Sequence, residues 1–138
     1  MKTIIHADDV THSPRYSQAV LAGGLLFLSG TTGADPRTGR PAGPTIQEQT
    51  ACALRNCELI LHAAGASLQD VVEVQVLLAR PEDFDAMNDC YAAFFPSDPP
   101  ARSVAKLGVE VPGLLVSVRM VAAHAGPAPR VGRAGPTP

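Results

Sequence analysis

The sequence predicts an α+β fold in which one mixed, six-stranded sheet carries two helices on one of its faces. The predicted elements run strand, hairpin, helix, strand, helix, strand, strand, so each helix lies between strands and βαβ crossovers are indicated. The chain has 138 residues, which suits one domain with its own core. Two helices on one face leave the other face bare, and we expect oligomerisation to cover it.

The first part of the chain is predicted to form a short strand at 3–6 and then a hairpin. The hairpin runs, 16–22 and 25–29, are joined by Gly23-Gly24, and a tight turn needs the positive φ that glycine adopts freely. The second run is almost entirely apolar, which is typical of a strand covered on both faces. Residues 30–44 are rich in glycine and proline and are predicted to be a long loop of functional or interface character.

The first helix is predicted to begin after Thr45, an N-cap residue whose capping box is completed by Glu48. Apolar residues recur at helical spacing up to Gly65, which is placed to end the helix as a C-cap residue. The run 71–78 is β-branched and largely alternating, and it predicts a strand.

The second helix is predicted to begin at Pro81 and to end before Pro96. Residues at helical spacing along one side of this helix include Asn88 and four aromatic residues, and the aromatic ones are interpreted as core. They are Phe84, Tyr91, Phe94 and Phe95. Two strands are predicted after it, at 103–107 and 114–123. Residues 125–138 consist largely of Gly, Pro, Ala and Arg, and they predict a disordered tail beyond a domain that covers 1–124.

The composition excludes some classes of function. Charged residues make up 17% of the chain, which favours a surface partly covered by another subunit. The net charge is −2 and aromatic residues make up only 4%, so nucleic-acid binding has little support. No apolar run reaches membrane-spanning length and the N-terminus has no signal core, so a cytoplasmic location is expected.

Metal binding is not expected from the sequence. The 3 cysteines have no zinc-binding spacing and are interpreted as reduced, mostly buried thiols. The 4 histidines are dispersed and form no ligand spacing. The cysteines are Cys52, Cys57 and Cys90.

Arg102 is the main candidate for a binding residue. It follows Pro99, Pro100 and one alanine, at the predicted end of a loop, and the prolines stiffen the backbone that presents it. A guanidinium is a planar, permanently charged fork that matches a carboxylate with two parallel hydrogen bonds. The alternative is an ordinary surface arginine in a salt bridge.

A series of short motifs runs along the chain from about Ser13 to Ala123. In this order and at nearly this spacing, they resemble the Rid (YjgF) family. The motifs are Tyr16-Ser17-Gln18-Ala19-Val20, Ser29-Gly30, Asp35-Pro36-Arg37-Thr38-Gly39, Gln49-Thr50, Asn56, Ala64-Gly65, Asp70-Val71-Val72, Asp83-Phe84, Met87-Asn88, Tyr91, Phe94-Phe95 and Pro100-Ala101-Arg102-Ser103.

The resemblance implies a chorismate-mutase-like fold and a homotrimer with a central barrel and three clefts between subunits. It also implies hydrolysis of reactive enamines and imines, such as 2-aminoacrylate, to 2-oxo acids and ammonia, without a cofactor. These compounds arise from pyridoxal-phosphate enzymes that act on serine or threonine. Family members have also been labelled endoribonucleases, but the charge of this chain does not support that label.

The resemblance assigns site residues by position. Arg102 matches the arginine that binds the substrate carboxylate, and Tyr16 matches a tyrosine that lines the cleft. Ser29 and Gly30 match the polar end of the hairpin, and Asn88 matches a helix position near the cleft. Tyr16 is equally compatible with interface packing, and Ser29 with Gly30 are equally compatible with a backbone turn.

The last strand departs from the family. Deaminating members carry a glutamate there to position or polarise water, and Ser117 stands at that position, followed by Arg119 at the next acidic one. A serine can hold a water molecule, but it cannot act as a general base near neutral pH without a partner. Two hypotheses remain: a hydrolase of small 2-imino acids that uses Arg102 and Ser117, or a non-catalytic trimer that binds small carboxylates such as 2-oxo acids.

Overall fold

A computed structural model describes residues 1–124 of the chain, and the predicted tail at 125–138 lies outside the described residues. The described part contains seven strands and two α-helices. Single 3₁₀ turns at Leu68–Asp70 and Pro81–Asp83 lead into a strand and a helix. The strands are β1 Thr3–Ile5, β2 Ala19–Ala22, β3 Leu25–Leu28, β4 Thr31–Thr32, β5 Val71–Leu78, β6 Ala101–Lys106 and β7 Val116–Ala123, and the helices are α1 Ile46–Ala63 and α2 Phe84–Phe94.

The sheet is mixed, as the sequence predicts. Its strand order is β1-β2-β3-β7-β5-β6, and the short β4 also pairs with β7. Strands β5 and β6 are parallel and α2 makes the crossover between them. In the rest of the described sheet the paired strands are antiparallel. The α+β architecture is therefore confirmed, with β4 added inside the stretch that was predicted to be a loop.

The two ends of α1 follow the predicted local chemistry. The Thr45 hydroxyl accepts a hydrogen bond from the Glu48 amide at 3.2 Å, and the Glu48 carboxylate accepts one from the Thr45 amide at 3.3 Å. Past the helix, Gly65 has a φ of +80°, and its amide and the next one bond to carbonyls of the last turn. This reciprocal pattern is a Schellman motif, in which glycine avoids the strain that a side chain would cause.

The helices cover one face of the sheet and leave the other open. Side chains alternate between the two faces of each strand, so that Leu26 and Leu28 of β3 are buried while Leu25 and Phe27 are 37% and 39% exposed. The expectation that β3 is covered on both faces is therefore not met by the described chain itself. The buried face continues across the sheet through Val74, Val76, Leu78, Val116, Val118 and Met120.

Two further expectations were wrong. Arg102 does not lie in a loop before a strand, because β6 already begins at Ala101, where it pairs with Glu73 of β5. Phe84 is not core but 42% exposed. It stands on the first turn of α2 beside Val104 of β6, the last strand of the described sheet, where no further strand covers it.

A buried glutamine on α1 ties two loops to the helical layer. The Gln49 side-chain amide donates to the Gly43 carbonyl at 2.9 Å and to the Gly113 carbonyl at 2.7 Å. Its carbonyl oxygen accepts a hydrogen bond from the Leu115 amide at 2.9 Å. Because Gln49 is only 1% exposed, these bonds are made away from water and fix the chain just before β7.

Candidate functional site

Arg102 points toward the helical layer, at the edge of the sheet. Its partner in the β5–β6 register is Val74, a fully buried residue of the face that the helices cover. The guanidinium Nη1 donates to Asn88 Oδ1 on α2 at 2.7 Å. Its Cζ lies 4.7 Å from the centre of the Tyr91 ring, within the range of a cation–π contact. Asn88 and Tyr91 are three residues apart, so one face of α2 presents both groups.

The charge of Arg102 is not neutralised by a carboxylate in the described chain, unlike that of two other arginines. Arg37 donates from Nε and Nη2 to Asp35, and Arg80 makes the same two-pronged contact with Asp83. In the first pair, the hydrogen bonds from Arg37 lower the pKa of Asp35. The described hydrogen bond of Arg102 goes instead to a neutral amide, and its Nε–Nη2 edge makes none within residues 1–124.

Tyr91 has a feature that the sequence does not reveal. It is 7% exposed, as expected for a core residue, but its buried hydroxyl has no hydrogen-bond partner in the described part of the chain. Burial raises the pKa of Tyr91, while the nearby Arg102 cation acts in the opposite direction. The ring also lies 4.9 Å from the Phe95 ring, so its position is set by Phe95 and Arg102 and not by its hydroxyl.

A second group of candidate residues lies near the junction of β3, β4 and β7. Thr32 of β4 pairs with Ser117 of β7, and a Cβ atom built on Gly30 would lie only 3.1 Å from Ser117 Oγ. Tyr16, Ser29 and Gly30 line a small cavity of about 40 Å³. The structure therefore brings Gly30 next to Ser117, while Tyr16 and Ser29 line a cavity together with Gly30. Val10, Thr11, Gln18, Thr31 and Thr32 complete the wall of this cavity.

The loop that carries Tyr16 is held by one buried side chain, Gln18. Gln18 Oε1 accepts from the Ala7 amide at 2.7 Å, and Nε2 donates to the carbonyls of Ala7, Val10 and Thr11 at 3.0–3.1 Å. Tyr16, two residues away, is 54% exposed. The buried Gln18 side chain therefore holds this loop on its inner side, while Tyr16 faces solvent.

The two groups are separated within one chain. Ser117 pairs with Leu77, which pairs with Ala105 of β6, three residues beyond Arg102. Two strand spacings across and three residues along give a Cα separation of about 14 Å between Arg102 and Ser117. The two side chains also lie on opposite faces of the sheet, because the partners of Arg102 belong to the buried face while Ser117 points to the open one. One protomer thus brings Arg102 together with Asn88, and Ser117 together with Gly30, but it does not bring the two groups together.

Sequence reasoning missed two residues of these groups. Tyr91 was interpreted as core from its helical spacing, which predicts burial but not the contact with Arg102. Gln18 was noticed only as part of a motif. The sequence feature that could have identified Gln18 is a long polar side chain directly before an apolar strand. A polar side chain buried at such a place forms hydrogen bonds to backbone atoms.

No helix of residues 1–124 is both long and apolar enough to cross a membrane. No three or more histidine, cysteine or acidic side chains in the same range are grouped so that they could hold a metal ion.

Comparison with known proteins agrees with this fold. The family model described as endoribonuclease L-PSP matches residues 8–124. A RutC family protein of Pyrococcus horikoshii is 39% identical over 107 residues, which are 78% of this chain and 85% of that protein. The human 2-iminobutanoate/2-iminopropanoate deaminase is 36% identical over 107 residues, which are 78% of this chain and 78% of that protein.

Solved structures give the same result. A putative endoribonuclease L-PSP from Entamoeba histolytica is 34% identical, with a TM-score of 0.84 over 89% of this chain and 99% of that one. Escherichia coli TdcF with bound serine is 26% identical, with a TM-score of 0.81 over 89% of this chain and 99% of that one. The chain is thus a small α+β protein of the fold these structures share. It belongs to the Rid (YjgF) family.

Proposed function

We propose that the protein hydrolyses small 2-imino acids and their enamine tautomers, such as 2-aminoacrylate, to 2-oxo acids and ammonia. The observation that carries the proposal is the free Nε–Nη2 edge of Arg102, a fixed cation without an internal carboxylate partner in residues 1–124. Such an edge suits the carboxylate of a small acid. The family membership and the deaminase name of the human relative support the same substrate class.

The proposed site lies between subunits of a homotrimer. Because Arg102 and Ser117 lie on opposite faces and about 14 Å apart in one chain, a complete site needs Arg102 of one protomer and the Ser117 group of another. The open apolar face, which includes Ile4, Leu25 and Phe27, supports an assembly that covers it. A cytoplasmic location stays a prediction.

The proposed chemistry needs little from the protein. Arg102 would hold the carboxylate while the oxygen of a water molecule forms a bond to the imine carbon. The water proton goes to the imine nitrogen, the resulting carbinolamine loses ammonia as its C–N bond breaks, and the 2-oxo acid remains. The Ser117 hydroxyl would orient the water by accepting its other hydrogen, so the gain is one of proximity. Absence of a general base typically lowers the rate by about 10²–10⁴-fold, which predicts a slow enzyme.

A second candidate is a non-catalytic trimer that binds small carboxylates. The observation that favours it is the residue pair Ser117 and Arg119 on β7, where deaminating relatives are expected to carry acids. Arg119 Nη1 lies 3.7 Å from Glu73 Oε1, and both side chains are exposed to solvent, so this ion pair is weak. The bound serine of TdcF shows that a related fold holds a small molecule with a carboxylate, and such binding does not require turnover.

The experiment generates 2-aminoacrylate in situ with a dehydratase and follows imine loss with and without the protein. We expect acceleration by the wild type and none by Arg102→Ala, while Arg37→Ala, an acid-paired arginine, is the matched control and keeps the wild-type rate. Ser117→Glu should raise the rate if the cleft is intact and only the base is missing. No acceleration by the wild type, together with 2-oxobutanoate binding that Arg102→Ala abolishes, would establish the second candidate instead.

A further inference from the structure

We propose that Asn88 is a positioning residue that orients Arg102 while leaving its charge free for the ligand. This inference rests on the proposed function and refines it. The Asn88 side-chain oxygen accepts from Arg102 Nη1 at 2.7 Å, so the helix supplies an acceptor that has no charge of its own. Asn88 thus acts by holding Arg102 in position, and it does not contact the substrate directly.

Two contacts from α2 fix the guanidinium in different ways. Asn88 holds one end of the guanidinium through a hydrogen bond, and the Tyr91 ring contacts it with 4.7 Å between Arg102 Cζ and the ring centre. Because the two residues are three positions apart on one helix, the contacts move together and the fork is preorganised. Preorganisation matters here because an exposed arginine otherwise loses side-chain entropy when it binds.

The chemical identity of the acceptor is the essential point. In the two hydrogen-bonded arginine–carboxylate pairs of residues 1–124, Arg37–Asp35 and Arg80–Asp83, the carboxylate occupies the Nε–Nη2 edge and neutralises the guanidinium. Aspartate has nearly the shape of asparagine, and from the same helix position it would place a negative charge against Nη1 and neutralise the guanidinium. A neutral amide at position 88 therefore separates orientation from neutralisation, and this separation is what a site for an exchangeable carboxylate requires.

Stability and ligand binding should change in opposite directions when Asn88 is replaced by aspartate. Asn88→Asp keeps the shape and strengthens the bond to Arg102, so the melting temperature should stay equal or rise relative to Asn88→Ala. Binding of 2-oxobutanoate should nevertheless fall more for Asn88→Asp, by about tenfold or more, than for Asn88→Ala, by about threefold. A merely structural role of Asn88 predicts the reverse order, with the alanine variant the weaker binder.

The test is titration calorimetry of the full chain with 2-oxobutanoate, combined with thermal unfolding of each variant. Gln47→Glu, at an exposed position of α1, is the matched control because it makes the same amide-to-carboxylate change away from Arg102. It should bind like the wild type. Asn88→Asp with wild-type affinity, or with higher affinity than Asn88→Ala, would overturn the inference alone. Absence of binding by the wild type would instead overturn the proposed carboxylate site itself.

Discussion

The Arg102 group and the Ser117 group are held by different means. Arg102 is a surface residue that two neighbours on α2 orient, and the core does not depend on it. The Ser117 group depends on two buried glutamines, Gln18 beneath the Tyr16 loop and Gln49 before β7. The first group contributes charge without contributing to the fold, while the second contributes hydroxyls whose placement is part of the fold.

This difference predicts how each group tolerates substitution. Exposed groups with single contacts change stability by a few tenths of a kcal/mol, about 0.5 at most. A buried side chain that satisfies several backbone atoms leaves all of them unpaired when it is removed. Function and stability should therefore separate cleanly at Arg102 and should be coupled at the residues that support Ser117.

The largest effect is expected for Gln49→Ala. It leaves the Leu115 amide and the Gly43 and Gly113 carbonyls without their hydrogen-bond partner. The Gln49 side chain that is lost is only 1% exposed. We expect the free energy of unfolding to fall by about 3 kcal/mol, as for loss of a buried hydrogen-bond network. Urea denaturation measures this, and Gln47→Ala on the exposed side of α1 is the control. Equal stability of both variants would show that water replaces these bonds at no cost.

Gln18→Ala is expected to have the next largest effect, a loss of about 2 kcal/mol. It removes four hydrogen bonds to the segment from Ala7 to Thr11, but this segment lies near the surface and water can reach part of it. Hydrogen exchange should show faster exchange of the Ala7 amide in the variant. If that amide stayed protected at the wild-type level, the loop would have to be held by contacts other than Gln18.

The sequence predicted those parts of the molecule that depend on near neighbours in the chain. The Thr45–Glu48 capping box, the Gly65 C-cap and the Gly23-Gly24 turn are all as expected, because each is decided within about four residues. Strand β5 was also predicted at its observed bounds, since alternation along a strand is a local property.

The parts that depend on packing between distant elements could not be predicted. The bond from Arg102 to Asn88 spans 14 residues and exists only because β6 lies beside α2. Phe84 is exposed because it lies beside β6, the last strand in the order of the described sheet, and periodicity along the helix does not reveal this. The separation of Arg102 from Ser117 follows from strand order and register, and neither is encoded in a motif.

Gly30→Ala tests the contact inside the Ser117 group. A Cβ atom at position 30 would lie 3.1 Å from Ser117 Oγ, so the serine hydroxyl must shift. We expect a loss of about 1 kcal/mol in the wild-type background and a smaller loss in the background of Ser117→Gly. The double-mutant cycle measures this difference by urea denaturation. Additive effects would mean that the backbone at Gly30, and not the Ser117 hydroxyl, resists the added methyl group.

The smallest effect is expected for Tyr91→Phe, which keeps the ring beneath Arg102 and removes a buried hydroxyl that has no partner in the described residues. Stability should rise by about 0.5 kcal/mol, and binding of 2-oxobutanoate should stay unchanged. The pH dependence is the sharper readout. Because burial raises the pKa of Tyr91 above its ordinary value of 10.0, the unfolded chain releases this proton first as the pH rises.

The wild type should therefore lose stability above about pH 10 relative to the phenylalanine variant, and the gap between them should widen with pH. Denaturant unfolding from about pH 8 to 11 measures it, with Tyr16→Phe as the control at a tyrosine that is 54% exposed. A constant gap across this range would mean that the phenol ionises as easily in the folded protein as in the unfolded chain. Weaker ligand binding by Tyr91→Phe would instead mean that the hydroxyl, and not only the ring, takes part in holding Arg102.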